Sequence, residues 1–326
     1  VAILFSFLIT IAGLILLAKM TGIFVDGASS IAKHLRVSAT VIGLTVVAFG
    51  TSAPEFFISL TARFSETGST DIAMGNIIGA GIIRILLILG MTAVIRPIRV
   101  ENSVTKRELP LLVLATCAFA ATFLDTFLND APVNTFSRSD ALMMLLIFGI
   151  FIFYLKSIVQ HRRLVQSADT VDAVADVKLS KGRAIFAIVG GLTGLLIGAH
   201  LTVAGASAVA GGLGLSQRVI ALTIVSIGTS LPELLVAIVA ARRRESALAV
   251  GSIIGACIFD IGFVIALPTL IFGGFSVAGF SYVDLAVLLL AVLLLTFFAN
   301  SDRRIKRSEG LAMLSIFAIY MLYLIF

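Results

Sequence analysis

Apolar residues in this chain gather into runs of about twenty, parted by short stretches that hold nearly all the charges. Coiled as an α-helix, a run of that length matches the hydrocarbon thickness of a bilayer. The pattern places spans at roughly 1–22 (with a continuation towards 32), 38–63, 71–95, 108–124, 139–158, 184–208, 216–241, 247–271, 281–299 and 309–326. The first run, "VAILFSFLITIAGLILLAKM", has neither a basic leader nor a small-residue cleavage site. It reads as a spanning helix and not as a removed signal peptide. Composition agrees: 59% of residues are hydrophobic and 13% charged, against about 25% charged in a soluble domain. The expected fold is an all-α polytopic membrane protein of ten transmembrane helices. Cys117 and Cys257 lie inside apolar runs, where small buried residues are expected and no disulfide framework is implied.

The charges orient the bundle. Loops reached after the odd-numbered spans hold 19 of the 24 Lys and Arg residues, and the opposite loops hold three: Arg63, Arg138 and Arg218. The positive-inside rule assigns the first set to the cytoplasm and both termini to the extracellular side. The net charge of +6 is therefore a topology signal, and "ARRRES" and "SDRRIKR" read as cytoplasmic loops, not nucleic-acid patches. A prokaryotic cell membrane is the expected location. The implied partners are lipid and inorganic cations, with no nucleic acid and no protein partner.

The chain also repeats itself. "VIGLTVVAFGTSAPE" (41–55) lies over "VIALTIVSIGTSLPE" (219–233) at an offset of 178, with ten of fifteen positions identical. "GNIIGAGIIRI" (75–85) lies over "GSIIGACIFDI" (251–261) at an offset of 176, with seven of eleven identical. "VDGAS" (25–29) over "VAGAS" (203–207) is a weaker echo. Each half holds five spans, so equivalent helices cross the membrane in opposite directions. The expected organisation is a first five-helix repeat at 1–159, a polar cytoplasmic linker at 160–183 and a second repeat at 184–326. This is the inverted-repeat plan of secondary transporters, whose sites lie near the midplane between the repeats.

The repeated cores carry the polar groups. Pro54 has no amide hydrogen, so the Gly50 carbonyl loses its helical partner, and Pro232 does the same to Gly228. A backbone oxygen freed at membrane depth must face protein or a water-filled cavity. Thr51 and Glu55 are four apart and share a helical face, as do Thr229 and Glu233. Asp260 adds a third carboxylate from the following span. Hydroxyl, carboxylate and carbonyl oxygens together suit hard cations such as Ca²⁺. His34 and His161 fall in loops, and His200 is a lone residue in the sixth run, expected to be a packed polar residue and not a ligand. Nothing points to a soft transition metal, to a nucleophile–base arrangement or to a bound cofactor.

At these motifs the sequence resembles the cation/calcium exchanger superfamily, which includes the sodium/calcium exchangers. The resemblance covers nearly all of the chain. It implies cation sites walled by spans 2, 3, 7 and 8, with spans 1 and 6 sliding across that core during alternating access. It places ligand roles on Thr51, Ser52, Glu55, Thr229, Ser230, Glu233 and Asp260, with backbone carbonyls near Ala48 and Ser226. It implies Ca²⁺ antiport against Na⁺. The chain departs from the family pattern at Ala80 and Ala256, where Ser is usual, and at Gly81 and Cys257, where Asn is usual. Its "GAG" resembles the branch that includes mitochondrial members.

The sharpest departure is Arg84, which stands opposite Asp260 in the repeat, where the family has Asn or Asp. An Arg at a helix centre costs about 2.5–3.5 kcal/mol on insertion scales and faces the bundle interior with a partner. Glu55, Glu233 and Asp260 are the candidates. Because a guanidinium does not deprotonate in proteins, Arg84 is expected to replace one bound cation. Two alternatives stand beside Na⁺-driven exchange. Protons could be the coupling ion, since they need only carboxylates, or the protein could bind cations with little turnover.

Overall fold

Long apolar runs become long helices. The computed structural model describes residues 2–35, 37–62, 70–128, 133–165, 179–212, 230–276 and 282–325. Among them seven helices are long and apolar enough to cross a membrane: Ile3–Leu35, Met74–Ile95, Arg138–Ile158, Lys181–Ala206, Ser246–Phe272, Tyr282–Ser301 and Arg307–Leu324. The other three expected spans fall short of that length for identifiable reasons. Span 2 begins at the N-cap Ser38, whose side chain accepts the Val41 amide at 3.4 Å, and breaks at Ser52. Span 4 is the 13-residue helix Leu109–Ala121, entered through a π-helical turn at Val104–Glu108. The first half of span 7, with Ser226 and Thr229, lies outside the described residues.

Two helices form the centre. One runs from α5 (Thr70–Ile82) through a π-helical stretch, Ile83–Leu89, into α6 (Gly90–Ile95). The other is α12 (Ser246–Phe259), continuing through Asp260–Val264 into α13 (Ala266–Phe272). Their apolar residues are almost all buried, whereas the outer helices expose Phe153, Phe186 and Phe297, the surface a lipid environment requires. Cys117 belongs to that outer surface, and so does His200, contrary to the buried placement expected of the first and the packed placement expected of the second. An outer helix buries some of its faces and leaves the others exposed.

The first helix, α1 (Ala2–Leu35), packs antiparallel on α10 (Lys181–Gly212) through glycines. A Cβ at Gly27 would fall 2.9 Å from the Ala184 carbonyl and the Ile188 amide nitrogen. A Cβ at Gly205 would fall 2.7 Å from the Ser6 carbonyl and 2.8 Å from the Thr10 nitrogen. Gly27 and Gly205, Ser6 and Ala184, and Thr10 and Ile188 are each 178 apart, the offset of the first motif pair. Small residues let the backbones touch where dispersion and polar contacts, not the hydrophobic effect, drive association. Gly27→Val and Gly205→Val are each expected to cost about 1–3 kcal/mol as overpacking. Thermal unfolding in detergent should show similar losses for the two variants; an unchanged midpoint for either would contradict this contact.

Short ribbons tie the halves together at the ends. β1 (Ile98–Arg99) pairs antiparallel with β4 (Arg304–Ile305), and β2 (Thr135–Phe136) pairs antiparallel with β3 (Phe275–Ser276). Each ribbon takes one strand from each half of the chain.

Candidate functional site

The break in span 2 makes the site. Helix α3 (Ala48–Thr51) ends at Ser52, which leaves helical geometry at φ −83° and ψ 5°, and α4 (Ala53–Ala62) begins after it. Ser230, at the equivalent point before α11 (Leu231–Arg242), has φ −89° and ψ 0°. In both places the following helix closes on the serine carbonyl: the Phe56 amide bonds Ser52 at 3.1 Å and the Leu234 amide bonds Ser230 at 3.0 Å. Glu55 and Glu233 then lie in the first turns of their helices, where the positive end of the helix dipole favours an acid. Thr51 donates its hydroxyl proton to the Val47 carbonyl at 3.0 Å, leaving its oxygen lone pairs free to accept. The Ala48 carbonyl already accepts the Ser52 amide at 3.0 Å.

Arg84 and Asp260 arrive from the two central helices, both within their π-helical stretches. Such stretches re-aim side chains and recur at functional sites. Arg84 is fully buried. Its Nη1 is hydrogen-bonded and ion-paired to Asp260 Oδ2. Its Nη2 lies 3.1 Å from Glu55 Oε1 and 3.2 Å from Glu233 Oε1, and donates to Ser52 Oγ at 3.3 Å. One guanidinium thus touches three carboxylates and a hydroxyl, each of them buried. Both oxygens of Glu55, Oε2 of Glu233 and Oδ1 of Asp260 have no hydrogen-bond partner in the protein.

Two properties follow. With three ionised acids and one cation the cluster carries a formal charge of minus two, on side chains that are all buried. Phe259 and Phe263 stack at 5.1 Å between ring centres on the Asp260 helix, and Phe49 and Phe56, on either side of the span 2 break, pack on them at 4.1 and 5.9 Å. The acids also do not form a metal cage by themselves. Among the described residues no group of three His, Cys, Asp or Glu side chains is placed to hold a metal ion, and Arg84 lies at ion-pair distance from each of the three carboxylates.

Of the residues singled out in the sequence, Ser52, Glu55, Arg84, Glu233 and Asp260 meet at this cluster. Thr51 and Ser230 flank it in the chain as buried residues. Thr229 and Ser226 lie outside the described residues. Asp26, in the echo "VDGAS", lies within α1 and is ion-paired with Arg243 Nη1 at 2.7 Å. Periodicity alone passes over Ser59, buried one turn beyond Glu55 with its hydroxyl unpartnered. It also passes over two acid–tyrosine pairs, Glu108 with Tyr154 at 2.7 Å and Asp284 with Tyr320 at 2.8 Å. Glu108 and Asp284 differ by 176, so the repeat offset was the signal that could have found them.

A family model described as sodium/calcium exchanger protein matches residues 5–156 and 183–326, nearly the whole chain. The chain belongs to the sodium/calcium exchanger family. It is 37% identical over 324 residues to the putative antiporter CaxA of Alkalimonas amylolytica, covering 97% of each chain. It is 30% identical over 351 residues to the sodium/calcium exchanger MaX1 of Methanosarcina acetivorans, covering 98% of this chain and 99% of the relative. A solved structure of the sodium-calcium exchanger NCX_Mj, soaked with Na⁺ and Ca²⁺, superposes with a TM-score of 0.81 at 34% identity and 98% coverage of both chains. This family member is therefore an integral membrane cation antiporter and not an enzyme.

Proposed function

We propose that the protein exchanges Ca²⁺ against Na⁺ by alternating access, with the cations bound among Thr51, Ser52, Glu55, Thr229, Ser230, Glu233 and Asp260 and the backbone carbonyls near Ala48 and Ser226. Ten spans arranged as two inverted five-helix repeats, at 1–159 and 184–326 about a cytoplasmic linker at 160–183, would place this site near the midplane with both termini outside. The glycine contacts of α1 and α10, related by the offset of 178, support that arrangement. So does the pairing of each ribbon across the two halves.

The observation that carries the reading is Arg84 at ion-pair distance from three buried carboxylates. In this reading the guanidinium occupies the place of one cation. The remaining charge of minus two matches one Ca²⁺ or two Na⁺, so the exchange is electroneutral. Proteoliposomes loaded with Na⁺ should take up radiolabelled Ca²⁺ when diluted into Na⁺-free buffer, with two Na⁺ released per Ca²⁺ and no dependence on membrane potential. An imposed pH gradient that drives uptake where the Na⁺ gradient does not would establish proton coupling instead. That second reading is favoured by Ala80, Gly81, Ala256 and Cys257, whose side chains offer neither hydroxyl nor amide oxygen to Na⁺. Ca²⁺ binding without flux under either gradient would leave a cation-binding protein with little turnover.

A further inference from the structure

A second charged constellation lies away from the carboxylates, at the end of the bundle that the charge distribution assigns to the cytoplasm. A cleft of about 360 Å³ is lined by Arg96, Pro97, Arg99, Arg244, Ser246 and Arg304, with no acidic residue in its wall among the described residues. The four arginines come from three separate connections. Arg96 and Arg99 follow the helix that carries Arg84, Arg244 lies between the helices that carry Glu233 and Asp260, and Arg304 precedes the last helix.

The fold holds these charges together at a cost. Arg99 and Arg304 are directly opposed in the β1–β4 ribbon, and like charges in that position destabilise a ladder. Arg244 has φ +68°, a left-handed conformation uncommon for a residue with a side chain, and one that clusters at ligand clamps. Ser246 begins the 14-residue helix α12, whose N-cap Glu245 makes no side-chain hydrogen bond to it. The Glu245 carboxylate is instead hydrogen-bonded by Ser29. No side-chain cap covers the Ser246 and Ala247 amides at the start of α12, beside the guanidinium groups, while the Leu248 amide bonds the Glu245 carbonyl at 3.0 Å. Aligned amides at a helix start and several arginines each select phosphate oxygens, and here they line one cleft.

The geometry points to an anion-binding site for a phosphate group in this cleft, supplied by an anionic lipid headgroup at the membrane surface or by free phosphate. Basic pockets between spanning helices at the cytoplasmic face recognise lipid headgroups in this manner. A phosphate held there would join the ends of the helices that carry Arg84, Glu233 and Asp260, and so couple the surface to the site.

The test uses the full chain in detergent. Phosphatidylglycerol and phosphatidylcholine are titrated separately and followed by native mass spectrometry, and inorganic phosphate is titrated by calorimetry. The protein is expected to bind phosphatidylglycerol or phosphate, with roughly tenfold weaker binding in Arg99→Gln/Arg304→Gln, the loss of charge-assisted hydrogen bonds. Arg99→Lys/Arg304→Lys should retain more of the binding than the glutamine pair. A loss seen for phosphatidylglycerol alone assigns the lipid, and a matching loss for phosphate assigns the free anion. Glutamine variants that bind as tightly as the parent overturn the proposal. So does a parent protein that binds neither phosphate nor phosphatidylglycerol above phosphatidylcholine, a result that does not depend on any variant folding.

Discussion

Arg84→Ala is expected to lower stability by about 3–5 kcal/mol in a buffer stripped of divalent cations, the cost of removing one partner from a buried ion pair. The substitution leaves Glu55, Glu233 and Asp260 facing one another with the intervening positive charge gone. Their mutual repulsion has no solvent to screen it, since all three are buried. A divalent cation should take the place of the guanidinium. Ca²⁺ at about 100 times its dissociation constant would return about 2.7 kcal/mol by mass action. Thermal unfolding in chelator and across a Ca²⁺ titration would show it. The variant's midpoint should fall well below the parent's in chelator and rise more steeply with Ca²⁺. Equal Ca²⁺ responses in the two proteins would sink the idea that Arg84 substitutes for an ion.

The second large effect concerns charge balance at the Arg84–Asp260 pair. Asp260→Asn leaves Arg84 with two acids in place of three and reduces the formal site charge to minus one, too little to neutralise Ca²⁺. Arg84→Asn raises it to minus three. Combining them restores minus two, although no ion pair remains between the positions. Each single variant is expected to lose about 3–5 kcal/mol of stability, and the double variant to lose less than their sum by an interaction energy of about 0.5–3 kcal/mol. Ca²⁺ binding should follow the formal site charge instead: weakest in Asp260→Asn and partly recovered in the double variant. A four-way cycle measured by unfolding and by Ca²⁺ titration checks both. Strict additivity would mean that the two groups do not act on each other.

Much of the organisation was legible along the chain because a membrane imposes simple rules. A spanning segment must satisfy its own backbone and present apolar residues, so runs of about twenty announce helices without reference to neighbours. The doubled Thr-Ser-x-Pro-Glu stretch announced the departures from helical geometry at Ser52 and Ser230, because proline removes a backbone donor wherever it stands. Exceptions arose where the signal depends on contact. The break in the first copy falls at Ser52, between Gly50 and Pro54, where the Ser52 hydroxyl meets Arg84. Cys117 and His200 looked like interior residues because a helix that is apolar on every face does not reveal which face meets lipid.

What belonged to the sequence alone was the class of protein, the offset between its halves and the identity of the four charged residues at membrane depth. Those follow from period, composition and the cost of charge in hydrocarbon. What tertiary structure decided was that one guanidinium reaches all three carboxylates at once, two through Nη2 and one through Nη1. It also decided that four arginines distant in sequence line one cleft at the opening of the Asp260 helix. Convergence of that kind depends on helix rotation, ribbon register and single left-handed residues. These are properties of packing between segments, and no local pattern encodes them.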